Sequence, residues 1–153
     1  MFIASKKSSS RIFIYSVCCF LLISYTACTV SLLPTYSAEL EAQITSTSKM
    51  TDMLYLEIMD APDDKKVYSV YADKYRQIET EINSILLKNE VRTNADDFIA
   101  SAKALKEYFV QAKEDHKKRN TLSNPELLIY NEQLKALWKP VLIEEMALSK
   151  LKY

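Results

Sequence analysis

His116 is the only histidine in the chain. With a single imidazole, a His-rich metal site is out of reach, and nucleophilic catalysis by a Ser-His-Asp or Cys-His arrangement would have to run through this one residue. Its neighbours Glu114 and Asp115 do not complete such a site, because successive residues of a helix point about 100 degrees apart and need a second helix to share a ligand. Asp60, Asp63 and Asp64 are hard-cation ligands by type. A calcium loop opening at Asp60, however, needs glycine at its sixth position and a carboxylate at its twelfth, where this sequence has Lys65 and Tyr71. Helix capping explains the three aspartates better. Asp96-Asp97 and Glu144-Glu145 are adjacent in sequence, which is not the opposed geometry that acid-base hydrolysis uses. The chain contains no glycine, so it cannot build a Gly-rich phosphate loop. The expectation is a protein that is not an enzyme, with no catalytic residue, no cofactor and no metal.

The remaining reactive side chains are Cys18, Cys19 and Cys28, all within the first 28 residues. That stretch has the order of an export signal: basic Lys6, Lys7 and Arg11, an apolar run from Ile12 to Ile23, then the small Thr26 and Ala27. The run ends in Tyr25-Thr26-Ala27-Cys28, which resembles the lipobox of bacterial lipoproteins, with Tyr25 where that pattern prefers Leu. The resemblance implies cleavage before Cys28, lipidation of its thiol, and a small helical envelope lipoprotein. Several buried acyl methylenes at about 0.8 kcal/mol each would make the anchor effectively permanent. Thr29 in place of Asp points to the outer membrane or cell surface. Two other addresses use the same residues. The uncharged stretch from Ile12 to Leu33 is long enough for a membrane-spanning helix, with Lys6, Lys7 and Arg11 holding the amino terminus in the cytoplasm. A secreted form cut after Ala38 would carry a large Tyr36 in the signal site. In all three the folded part lies outside the cytoplasm. The domain reading is a signal or anchor over 1–27, a tether over 28–36 and a helical domain over 37–153.

Removing Lys6, Lys7 and Arg11 from twenty basic side chains, against twenty acidic ones, leaves the remainder at a net charge of −3. So weak a negative balance argues against a phosphate-backbone partner, which would need a clustered basic face to displace counterions, and nucleic acid is not an expected partner. Tyrosine is abundant: Tyr55, Tyr68, Tyr71, Tyr75, Tyr108 and Tyr130 are spread along the chain, and one small bundle cannot bury them all with satisfied hydroxyls. Tyr68 and Tyr75, one heptad apart, together with Trp138, are candidate interaction residues, since aromatics are preferred contacts in interfaces.

The elements that must position these residues read as helices. Lack of glycine disfavours tight hairpins, and the apolar residues recur with a period near 3.6. A first helix over about Ser37 to Met59 carries Leu40, Ile44, Thr47, Thr51, Leu54 and Ile58 on one stripe, with a weak, fraying start. A second, over about Pro62 to Asn89, carries Val67, Tyr71, Tyr75, Ile78, Ile82 and Ile85. A third, capped by Thr93 or Asn94 with Asp96 or Asp97 completing a capping box, carries Phe98, Ala102, Leu105, Phe109, Ala112 and His116. The fourth starts at Ser123-Asn124-Pro125-Glu126 and carries Leu127, Tyr130, Leu134, Leu137, Val141 and Leu148, with Pro140 kinking it near Trp138. Short connections make sequential helices antiparallel neighbours. The fold expectation is all-α: an antiparallel up-down bundle of three long helices and a fourth, partly ordered one, after an N-terminal signal or anchor helix. The function expectation is a membrane-tethered, extracytoplasmic interaction module whose partners are membrane lipid and another envelope or secreted protein. The alternative is an inhibitor or immunity-type protein acting on an envelope or secreted hydrolase.

Overall fold

A computed structural model describes residues 33–151. The expected signal segment and Cys28 lie outside these residues. Four helices follow one another: α1 (Ala38–Asp60), α2 (Tyr68–Glu90), α3 (Asp96–Arg119) and α4 (Asn124–Lys150), with a 3-10 turn at Asp63–Lys65 between the first two. Among the described residues there is no strand, and no helix is long and apolar enough to cross a membrane.

Cross-helix bonds fix the directions. Lys88 late in α2 pairs with Glu39 early in α1 at 2.6 Å, while Lys74 early in α2 pairs with Glu57 late in α1. Lys113 of α3 meets Glu79 of α2 at 2.8 Å, Ser101 of α3 meets Glu144 of α4 at 3.0 Å, and Asn131 of α4 meets Asp52 of α1 at 2.8 Å. Each helix is therefore antiparallel to its chain neighbour, and α4 closes the ring against α1. The four helices form an antiparallel up-down bundle.

The expected stripes of α1 and α3 are buried along their whole length, and so is that of α2 from Tyr71 onward. Buried positions recur at alternating spacings of four and three residues, the seam pattern of helices crossing at small angles. The start of α1 does not fray as expected. Ser37 caps it by accepting the Leu40 amide at 3.2 Å. The buried Thr47 and Thr51 donate their hydroxyls to the carbonyls of Gln43 and Thr47 at 2.7 and 2.9 Å, which satisfies them inside an apolar seam. All four helices are formed, including α1, whose opening half is the part expected to be only partly ordered.

Other boundaries differ from expectation. Pro62 is extended and Asp63–Lys65 form the 3-10 turn, so α2 starts at Tyr68. Before it, the Lys66 ammonium turns inward to Asp63 and Asn124, both at 2.8 Å. Neither Thr93 nor Asn94 caps α3. Asn94 takes a left-handed conformation with φ 58 and Ala95 stands at the cap without a side-chain bond. Asn tolerates that region better than other residues with a Cβ. Asn120, with φ 62, ends α3 in the same way, filling the role glycine usually has there. At the start of α4 the amide and hydroxyl of Ser123 both donate to Glu126, at 3.0 and 2.7 Å. Pro140 is exposed, and α4 continues through it to Lys150.

Candidate functional site

At the end of the bundle where the chain enters from residue 33, three segments meet on one buried carboxylate. Glu145 of α4 accepts the Ser37 amide at 2.7 Å and the Arg92 guanidinium at 2.8 Å, and no part of its side chain is exposed. Arg92 comes from the turn between α2 and α3. It also donates to the Asn89 side chain at 2.8 Å and to the Thr35 carbonyl at 2.6 Å, and it lies over the Phe98 ring. A buried charge has to be paired and hydrogen-bonded to be tolerated, and here the pairing joins the incoming chain, the α2–α3 turn and α4. Pro34 is buried and Tyr36 half-buried beside this clasp. The last residues of the expected tether are thus held against the bundle, while its earlier residues lie outside the described ones. Sequence reading names Glu145 only as half of the Glu144-Glu145 pair and passes over Arg92. The signal was present, because Glu145 continues the four-and-three spacing of α4.

The opposite end holds His116 in an aromatic cluster. Its Nε2 lies 2.9 Å from the Lys66 carbonyl oxygen and its Nδ1 lies 3.1 Å from the Tyr75 hydroxyl. A carbonyl can only accept, so Nε2 carries the proton and Nδ1 accepts from Tyr75. Tyr68 stacks on Tyr75, with ring centroids 5.8 Å apart, and meets the imidazole edge-on. Burial pulls the His116 pKa below its ordinary value, against the opposing Lys66 bond, and Arg119 adds to the depression. Burial likewise raises the Tyr75 and Tyr55 hydroxyls far above the usual tyrosine range. None of the His116 surface is exposed, and both ring nitrogens are taken up by bonds within the bundle.

The other acidic residues do not converge. Asp63 pairs with Lys66, and Asp64 lies 4.0 Å from Lys65. Glu144 takes Ser101 while its neighbour Glu145 takes Arg92. Burial and the nearby Asp97 hold the Glu144 carboxyl above its ordinary range despite the Ser101 bond. Among the described residues no group of three or more His, Cys, Asp and Glu side chains could hold a metal ion.

Two of the three candidate interaction residues require correction. Tyr75 is 0 % exposed and Trp138 only 4 %, because both occupy seam positions, and neither presents a surface to a partner. Tyr68 is half-buried against Tyr75. The expected α4 stripe is also shifted: Tyr130 and Leu137 are half-buried, whereas Asn131, Trp138 and Glu145 fill the core positions between Leu127, Leu134, Val141 and Leu148. Trp138 therefore faces inward, and part of the apolar content of α4 is left outside. Leu128 is 51 %, Ile129 60 %, Ile143 61 % and Met146 41 % exposed, with Ala136, Pro140 and Ala147 exposed on the same side. A groove between α1 and α2 is lined by Met50, Met53, Leu54 and Ile78, and the Lys74–Glu57 pair belongs to its wall.

No family model matches this chain, and no match was found among curated proteins or solved structures.

Proposed function

We propose that this protein is an extracytoplasmic interaction module, held at the outer membrane or cell surface by lipid on Cys28, and that it works through the outer face of α4 without catalysing a reaction. One observation carries the reading. α4 is apolar on two sides, its inner stripe closed into the core and its outer one exposed at Leu128, Ile129, Ile143 and Met146. Single exposed apolar residues are ordinary, whereas an apolar row along one element marks a contact surface. The buried histidine, the paired carboxylates and the tyrosine cluster are all absorbed in packing. The lipobox-like Tyr25-Thr26-Ala27-Cys28 supports the address.

The test has two arms. Crosslinking and affinity capture from intact envelopes should recover a protein partner with the wild-type chain and lose it with Ile129→Asp/Ile143→Asp at unchanged helix content. Capture that ignores these substitutions contradicts the surface. Metabolic labelling with fatty acid should mark the wild-type chain and vanish in Cys28→Ala. Labelling that persists, or is absent from both, contradicts the anchor.

A further inference from the structure

We infer that the outer face of α4 is a self-complementary seam on which two copies of this chain pack α4 against α4, antiparallel, about a two-fold axis at Ala136. This rests on the reading of that face as the working surface and names its occupant as a second copy.

Opposite the core stripe of α4 lie Ile129, Ala136, Pro140, Ile143 and Ala147, all exposed. Ala136 stands midway between the two isoleucines, one heptad from each. A two-fold axis there brings Ile129 of each copy level with Ile143 of the other. It also sets the small Ala136 side chains face to face, where the two backbones come closest. The flank obeys the same symmetry. Glu132, Lys139 and Met146 follow one another at heptad spacing along one shoulder of the stripe, with Leu128 one turn before Glu132. A two-fold axis perpendicular to both helices keeps this shoulder on the same side of both copies. Glu132 precedes Ala136 by four residues and Lys139 follows it by three. Each carboxylate thus meets the other copy's ammonium to within one residue, about 1.5 Å of rise, and Leu128 meets Met146 beyond them. Lys139 is exposed, and Glu132 only shares Lys135 with Asp52, at 3.3 against 2.9 Å.

The same charges decide the direction. Parallel pairing in register, about an axis along the helices, would put this shoulder on opposite sides of the two copies and leave Glu132 and Lys139 without each other as partners. They also disfavour a lipid surface, since a helix lying on a membrane flanks its apolar face with Lys and Arg and this shoulder carries Glu132. A seam one helix wide is at the small end of stable interfaces, so it suits chains concentrated on a shared membrane.

The test uses the full-length chain in its membrane under mild oxidation, with adducts mapped by peptide mass. Ala136→Cys should give dimers linked at position 136. Co-expressed Ile129→Cys and Ile143→Cys chains should give the mixed adduct, while each alone gives none at its own position, because two copies of one position lie about 20 Å apart and a disulfide needs Cα atoms within about 7 Å. Glu132→Lys or Lys139→Glu should lower the Ala136→Cys yield several-fold, and the two together should restore it. Absence of the 136 adduct at unchanged melting temperature, or adducts indifferent to register, overturns the seam. Should a different protein still be captured through Ile129 and Ile143, the second copy is overturned and the surface survives. If substitutions at these positions alter neither adducts nor capture, both fall.

Discussion

The residues with the most chemical promise turn out to carry the fold. His116 was legible as the end of the α3 stripe, because its spacing from Ala112 continues the pattern. Its enclosure was not, since that depends on Tyr68, Tyr75 and the Lys66 carbonyl arriving from the neighbouring turn and helix. Its depressed pKa has a consequence with a definite sign. The unfolded chain takes up a proton near the ordinary value of about 6.5, and the folded chain resists until lower pH. The stability from a neutral His116 is therefore complete above that value and is lost as pH falls below it toward the folded pKa. We expect the melting temperature to drop between pH 7.5 and 5.5, and a His116→Phe variant, although less stable throughout, to show a flatter slope there. Equal slopes would mean that the imidazole is not held neutral. Arg92→Ala should cost about 3–5 kcal/mol, because it leaves the Glu145 carboxylate buried without its counter-ion. Denaturant unfolding measures this, and removing both charges in Arg92→Ala/Glu145→Met should cost less than removing Arg92 alone.

At the scale of elements, three helices could be read almost completely from their stripes, because nearly every seam position in α1, α2 and α3 is apolar or a self-bonding threonine. The fourth could not. Its seam includes Asn131 and Glu145, and a stripe built only from apolar residues steps sideways to Tyr130 and Leu137. That sideways step placed Trp138 on the surface, where it does not lie. Whether Asn131 and Glu145 can be buried depends on Asp52 and Arg92, which come from other elements and leave no local mark. Start signals were misread for a similar reason. Pro62 and the aspartates around it suit a helix start, but Lys66 turns inward to Asn124 and the Tyr68 amide reaches the Asn120 carbonyl at 2.9 Å, which delays α2. The corrected register predicts a contrast. Trp138→Ala should destabilise by about 3–5 kcal/mol as a core truncation, whereas Ile143→Ser, on the outer face, should stay within about 0.5 kcal/mol. Similar losses for the two would return Trp138 to the surface and move the face of α4.

At the scale of the whole molecule, the all-helical class followed from the missing glycine and from the period of the apolar residues. The closed ring of four helices needed the cross-helix pairs as well. The functional surface was the least legible feature, because an exposed apolar row and a buried one look alike until the register of the helix is known. What distinguishes an interaction module from an inert scaffold is whether that row is covered in the cell. The most direct measurement is site-specific photocrosslinking in intact cells, with the photoreactive residue placed at Ile143 on α4 and, for comparison, at the exposed Arg76 on α2 and Gln111 on α3. The account predicts discrete protein adducts from position 143, whether to another copy or to a different protein, and few from the other two. Adducts from positions 76 and 111 with none from 143 would contradict it.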